Sequence, residues 1–409
     1  MRRPDEASAG WAAECAARHG YGKLVAFLAA RTGNVTVAED ALADAFTAAL
    51  ADWPVSGVPR NPEAWLMAVA KRRAIDAARR RRTSAEATDH LSLVTEELND
   101  DVDADIPDRR LGLMFACAHP AIDPVMRAPL MLQTILGFDA AAIASAFLVS
   151  PATMGQRLVR AKQKIRQAGI PLRVPEPEEL PERLDAVLAA IYASFAADWS
   201  EPGDLADEAI WLGRLVVALL PEEAEALGLL ALMLYVAARR DARRDAAGGY
   251  VPLAEQDTGL WDAAMIGEAE AVLQRASGLG LIGRYQLEAA VQSAHVARRI
   301  TGRTDWAVIE QLYAALASVA DSPVIVINHA IAIGETDGPE AGLARLDTLA
   351  DDARIAEYQP YWAARADLLA RAGYADAAGP AYQRAIGLAS DPAVRTFLQS
   401  RMRGACVYQ

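Results

Sequence analysis

The segment Ala128–Gly169, APLMLQTILGFDAAAIASAFLVSPATMGQRLVRAKQKIRQAG, predicts a helix, a short helix, a tight turn and a longer basic helix. Asp139 is placed to cap the short helix, with Phe138 and Ile143 flanking it as a hydrophobic staple. Ala142 stands where a capping box would put Glu, so the cap rests on Asp139. Ser150-Pro151 opens the last helix, Ser at the N-cap and Pro at the first helical position. Within that helix Met154, Leu158, Ala161 and Ile165 share one face, and Thr153, Gln156, Arg157, Arg160 and Lys164 share a neighbouring one. One face packs. The other carries the hydroxyl, amide and cationic groups that meet base edges and phosphates in a major groove. From Pro151 to Gly169 there are five Lys or Arg and no Asp or Glu. The competing reading of these residues alone is a solvated basic helix in an ordinary bundle.

Around this segment lies a chain of 409 residues, room for two to four domains at about 100–200 residues each. Hydrophobic residues make up 53% and aromatics only 6%, with Ala and Leu dominant, which points to an all-α protein. The net charge of −13 argues against a protein that coats nucleic acid non-specifically, but the charge is unevenly spread. Cys15, Cys117 and Cys406 lie far apart, without the spacing of a zinc site or a disulfide framework, and suit a reducing compartment. No apolar stretch follows Met1-Arg2-Arg3, so no signal peptide is expected. The longest apolar run, Ala226–Ala238, falls short of the ~20 residues of a membrane span and predicts a buried helix. A soluble, cytoplasmic protein is the expectation.

Upstream, Trp11 to Arg82 reads as three or four helices. Glu39–Leu50 is amphipathic, with Leu42, Ala45, Phe46 and Ala49 on one side and Asp40 and Asp44 one turn apart on the other. A Pro- and Gly-rich connector follows, WPVSGVPRN at Trp53–Asn61. Asn61-Pro62-Glu63 then starts a long helix to about Arg82 as N-cap, first position and first-turn acid. Its second half concentrates Lys71, Arg72, Arg73 and Arg79–Arg82, which phosphate binding explains and a helix dipole explains only for the last turn. Between the two basic elements, Glu86–Asp108 holds nine acidic residues and no Lys or Arg, the pattern of a flexible spacer.

After Gly169 a proline-rich acidic boundary leads into helix after helix, including Glu182–Trp199, Leu205–Leu219, Glu222–Arg240, Leu260–Ser277, Tyr285–Thr301 and Trp306–Val319. Ala242–Gly259 is the main break and predicts an exposed loop. Near the end, Trp362, Ala366, Leu369, Gly373, Ala378, Tyr382 and Ala385 follow at the spacings of a tetratricopeptide (TPR) helix pair. Pro323, Pro360 and Pro392 recur near the repeat length of about 34 residues.

Two small basic helical modules joined by an acidic linker, the second a helix-turn-helix, resemble a bacterial extracytoplasmic-function (ECF) sigma factor. AEDALADAF at Ala38–Phe46 looks like its core-binding helix, NPEAWLMAVAKRRAIDAARRRR at Asn61–Arg82 like its −10 helix, and LVSPATMGQRLVRAKQKIR at Leu148–Arg166 like its −35 recognition helix. CAHP at Cys117–Pro120, RLVRAKQKIRQAGIP at Arg157–Pro171 and the TPR-like tail are similar to the subgroup with a fused C-terminal TPR-like extension. The resemblance implies an all-α fold with sigma domain 2 over residues 1–84, an acidic linker over 85–108, sigma domain 4 over 109–170 and a TPR-like extension over 171–409. It implies docking of Asp40, Asp44 and Phe46 on the β′ clamp helices of core RNA polymerase, with a further contact on the β flap. Lys71, Arg72, Arg79 and Arg80 would hold −10 phosphates, and the connector that ends in Arg60 and Asn61 would capture a base flipped from the opened strand. Thr153, Gln156, Arg157, Arg160 and Lys164 would contact the −35 duplex, some for position and some for sequence. The acidic linker would thread a cationic channel of the polymerase, and the TPR-like surface would offer a site for a protein partner.

Two other classes of function weigh less. A duplex-binding regulator with a TPR-like sensor has no use for a strand-opening helix. For an enzyme there is little: His19, His90, His119, His295 and His329 show no paired spacing, and no phosphate-binding glycine loop or nucleophile elbow occurs. His119 reads as a packed or capping histidine, Trp261 and Trp362 as core residues, and no cofactor or metal is expected.

Overall fold

The computed structural model describes residues 4–82, 108–147, 149–176, 178–197, 205–352 and 355–406. Nineteen α-helices and no strand make up these residues, the all-α class that the Ala- and Leu-rich composition points to. The acidic segment expected as a linker lies outside them, save for Asp108, whose carboxylate accepts from both the Nε and Nη2 of Arg110.

The chain divides into two compact units, the first comprising Met1–Asp198 and Gly203–Ala209 and the second Trp199–Pro202 and Ile210–Gln409. In the first, α1 (Pro4–Thr32), α2 (Val35–Ser56) and α3 (Pro62–Arg82) pack on one another around Leu24, Leu28, Leu42, Trp53 and Leu66, all buried. Asn34 caps α2 by accepting from the Val37 amide. The helix expected over Glu39–Leu50 is longer at both ends and absorbs the start of the expected connector. Pro54 sits inside its last turn, where its ring removes the amide that would donate to the Leu50 carbonyl, and the helix ends two residues later. Trp53 is buried and stacks edge-on against Trp65, which fixes this turn on α3. Only Gly57–Asn61 remain as a connector.

Next come α4 (Arg110–Cys117), α5 (Pro124–Leu136), α6 (Ala140–Ala146), α7 (Pro151–Gln167) and α8 (Leu180–Ala197). α5 is the hub of this set and packs against α1, α4, α7 and α8. α8 belongs here: buried Arg183 donates to the Phe115 carbonyl at 2.7 Å. The boundary expected near residue 170 is therefore displaced beyond α8, and the two expected N-terminal domains form one unit.

The helix α9 (Leu205–Leu219), which belongs to the second unit from Ile210 on, leads to α10 (Ala224–Ala237), every residue of which except Glu225 is buried, as its apolar run requires. α10 packs on α11 (Ala263–Gly278) and α12 (Arg284–Val296). The Glu225 carboxylate accepts from the Tyr285 and Gln286 amides and so caps α12 from a neighbouring helix. After the short α13 (Arg298–Thr301), helices α14 (Trp306–Val319), α15 (Pro323–Thr336), α16 (Pro339–Asp347), α17 (Gln359–Arg371), α18 (Ala375–Leu388) and α19 (Pro392–Cys406) each pack mainly on the next. Stacking of that kind lets each pair bury its apolar face on its neighbours. In the last pairs Ala366, Leu369, Ala378, Tyr382 and Ala385 are buried together.

The segment expected as an exposed loop is anchored instead. Arg298 donates to the Ala254 and Gln256 carbonyls at 2.7 and 2.9 Å. The buried Trp261 ring lies beneath the guanidinium groups of both Arg298 and Arg239. Arg244 pairs with Asp391 at 2.5 Å, Arg401 with Glu255, and the Tyr250 ring meets Phe397 edge-on. Beside this cluster burial, and then Arg239 and Arg298, push the His295 imidazole down to about 3.

Candidate nucleic-acid interface

Helix α7 is set by local chemistry. The Ser150 Oγ accepts from the Thr153 amide at 3.2 Å, and the Asp139 carboxylate accepts from the Ala141 and Ala142 amides at 2.8 Å, so both helices of the helix-turn-helix carry the caps read from the sequence. Met154, Leu158, Ala161 and Ile165 are buried, which fixes the rotation of α7 about its axis. That rotation leaves Gln156, Arg157, Arg160 and Lys164 exposed and Thr153 half-buried. Among the described residues no carboxylate pairs with Arg157, Arg160 or Lys164, so their charge faces solvent uncompensated.

One cation of α7 behaves differently. Lys162 turns toward α2 and pairs with Glu39 at 2.6 Å, the two side chains only 10% and 14% exposed. Burial pushes the Glu39 carboxyl up from its ordinary range, against the opposing pull of Lys162. Nearby, Tyr21 of α1 lies against Gly137, whose φ of 77° closes α5, and burial followed by the Glu39 charge raises the phenol. The Cys117 thiol is fully buried and pushed up to about 12, which keeps it protonated and inert.

On α3 the expected cationic row splits. Arg72 is exposed, as is Arg73 beside it. Lys71 is buried, its ammonium 5.5 Å from the centre of the Phe27 ring. It shares a face with Met67 and Ala74, both buried, and so leaves the outward set. The backbone of Arg79 and Arg80 continues α3, while their side chains lie outside the described residues. Arg60 and Asn61 are exposed at the end of the connector, and Asn61 accepts from the Ala64 amide as the N-cap. On α2, Asp40 and Asp44 are exposed one turn apart, and Phe46, on another side of the helix, is half-buried.

Elsewhere His119 accepts from the Ala121 amide through Nδ1, a turn-capping role. Trp261 is core, and the half-buried Trp362 donates to the Ala356 carbonyl. Among the described residues no three metal-ligating side chains converge, and no helix is long and apolar enough to cross a membrane. Sequence reasoning missed Glu39, Lys162 and Gly22. The ion pair joins positions 123 apart, and no local pattern signals it.

Comparison with known proteins adds three findings. Residues 17–84 match the family model described as sigma-70 region 2. Residues 183–277 match a family of unknown function (DUF6596). An uncharacterized protein of Rhizobium meliloti (strain 1021) is 38% identical over 382 residues, covering 90% of this chain and 90% of the relative. No solved structure matches.

Proposed function

We propose that this chain, which belongs to one family with the uncharacterized Rhizobium meliloti protein and carries a sigma-70 region 2 over residues 17–84, is a sigma factor of the ECF group with a TPR-like C-terminal extension. It brings core RNA polymerase to promoters and starts transcription there. The observation that carries this is the pairing of a sigma-70 region 2 with a second helical module whose α7 presents Gln156, Arg157, Arg160 and Lys164 to solvent.

Each role follows from chemistry. Asp40 and Asp44 form a small acidic face on α2 for the β′ clamp helices, and the half-buried Phe46 of the same helix adds an aromatic contact beside it. Arg72, together with Arg79 and Arg80, neutralises phosphates of the −10 region. Arg60 and Asn61 stand at the exposed connector, where a base taken out of the stack is held and its few kcal/mol of unstacking offset. Thr153 and Gln156 supply hydrogen-bonding groups to base edges, and Arg157, Arg160 and Lys164 meet phosphates and guanines of the −35 duplex. The acidic segment before Asp108 crosses the polymerase, and the second unit binds a protein partner that regulates the first.

Binding of the purified chain to bacterial core RNA polymerase, followed by transcription from a library of random promoters, tests this. The expected result is a stable complex whose start sites share a −35/−10 pair. Duplex binding without any affinity for core polymerase would instead make the chain a helix-turn-helix regulator.

A further inference from the structure

We infer that the second unit carries a buried anion site, in which Arg239, Arg298 and the indole N–H of Trp261 hold the phosphate or carboxylate group of a small molecule. The site goes beyond the function proposed above and does not depend on it.

Three elements converge on Trp261, which lies just before α11. Arg239 follows the end of α10, and its guanidinium carbon is 5.9 Å from the centre of the indole ring. Arg298 opens α13 and stands 5.2 Å from a Trp261 ring centre. Arg239 is only 6% exposed, so its charge is out of solvent. Its Nη2 donates to the Gln292 Oε1 on α12, while its Nη1 has no hydrogen-bond partner among the described residues. The Nε1 of the buried Trp261 has none either. Two buried N–H donors beside one another thus lack acceptors, and one of them is charged.

Burial, and then Arg243 and Arg298, push the Arg239 guanidinium down to about 10, so it keeps its proton at neutral pH. A charge buried without a counter-charge is costly, and a water molecule would satisfy the hydrogen bond but not the charge. The carboxylates of the covering segment are engaged elsewhere. Glu255 pairs with Arg401, Asp257 accepts from the Gly259 amide, and Asp262 accepts from the Ala264 and Met265 amides as the cap of α11. Arg298 meets only neutral carbonyls, those of Ala254 and Gln256. An oxyanion supplies what is missing, acceptor oxygens with a negative charge in the planar geometry that a guanidinium fork recognises. Ala254, Glu255, Asp257 and Leu260 are exposed, and Arg298 reaches from this segment to Trp261, so the site lies one layer of chain below the surface. That depth admits a small molecule and excludes a folded partner.

The test is calorimetric titration of the full chain with inorganic phosphate and with succinate, against chloride at matched ionic strength. Phosphate or succinate should bind and raise the melting temperature, and chloride should do neither. Arg239→Met keeps the stem and removes the charge, so it should weaken that binding at least about tenfold. Its anion-free melting temperature should stay level or rise, because an uncompensated buried charge is gone, whereas a purely structural arginine would lower it. Arg157→Ala with Arg160→Ala should leave the binding as it is, which separates the site from the cationic face of α7. His295, held down by burial and then by Arg239 and Arg298, is a local reporter. Its ring signals in the NMR spectrum, assigned by their loss in His295→Gln, should move as phosphate is added. Should Arg239→Met fail to fold, Trp261→Phe keeps a ring and loses the N–H, and should weaken binding about fivefold. A wild-type chain that binds neither phosphate nor succinate overturns the inference, as does binding that survives Arg239→Met or Trp261→Phe unchanged. Chloride binding as tightly as phosphate would overturn the oxyanion assignment and leave a halide counter-ion in its place.

Discussion

The two units use their arginines in opposite ways. On α7 Arg157 and Arg160 face solvent with no carboxylate against them among the described residues. In the second unit Arg214 pairs with Glu268, Arg244 with Asp391, Arg365 with Asp347, Arg371 with Glu335 and Arg384 with Glu357. Exposed pairs of this sort are worth about 0–1 kcal/mol each, so their main consequence is neutralisation rather than stability. A phosphate approaching those arginines must first displace a carboxylate, whereas one approaching α7 displaces only water and counterions. Composition treats all these residues alike. Their partners separate a surface made to receive an anion from one that is already satisfied.

The sharpest way to break this contrast is on the acidic face of α2. Asp40→Ala combined with Asp44→Arg should reduce core polymerase binding by at least a hundredfold and leave the melting temperature unchanged, since both side chains are exposed. Titration of labelled polymerase with wild type and variant reads the first, and thermal unfolding the second. Retained affinity would remove these residues from the docking face.

Next in size is α7 itself. Arg157→Ala with Arg160→Ala should lower −35-dependent transcription about 10- to 100-fold while core binding persists, and the salt slope of DNA binding should fall by about 2. The matching change in the second unit, Arg371→Ala with Arg384→Ala, should leave the slope as it is. A drop in slope for that pair would mean that the second unit also contacts the duplex.

Why α7 was legible and the Glu39–Lys162 pair was not comes down to range. Ser150-Pro151, Asp139 and the apolar positions of α7 act within one or two helical turns, so periodicity and caps define them. Glu39 and Lys162 read as ordinary surface charges, because a helix pattern gives each a face but not what lies across from it. Lys71 misled for a related reason. It belongs to a run of three cations, and the run drew attention away from its place in line with Met67 and Ala74. The segment Ala242–Gly259 has the glycines and charges of a free loop, yet Arg298 reaches its backbone from more than forty positions away. The domain boundary followed the proline-rich stretch after Gly169, whereas the packing carries the first unit on through α8.

Charge turned inward also has a pH signature. His295 has a depressed folded value of about 3, so the unfolded chain takes up a proton first as pH falls. Its contribution is complete above the ordinary histidine value of about 6.5 and is lost progressively as pH drops from there toward about 3. The second unit should therefore lose about 1–2 kcal/mol between pH 6.5 and 4.5 beyond the carboxylate background. His295→Gln should flatten that part of the profile, measured by denaturant unfolding at each pH. An unchanged slope would place the acid sensitivity elsewhere.

The finest test compares two neighbours on α3. Arg72 is exposed and Lys71 lies over the Phe27 ring, one residue apart with the same formal charge. If outward charge is what binds the −10 phosphates, Arg72→Gln should reduce the salt slope of holoenzyme–promoter binding by about 1 and weaken binding a few-fold. Lys71→Met keeps the apolar stem and the burial, so it should change neither the slope nor the affinity. A full unit of slope lost with Lys71→Met would show that Lys71 leaves the Phe27 ring on binding DNA, and that the split between the two residues belongs to the free chain alone.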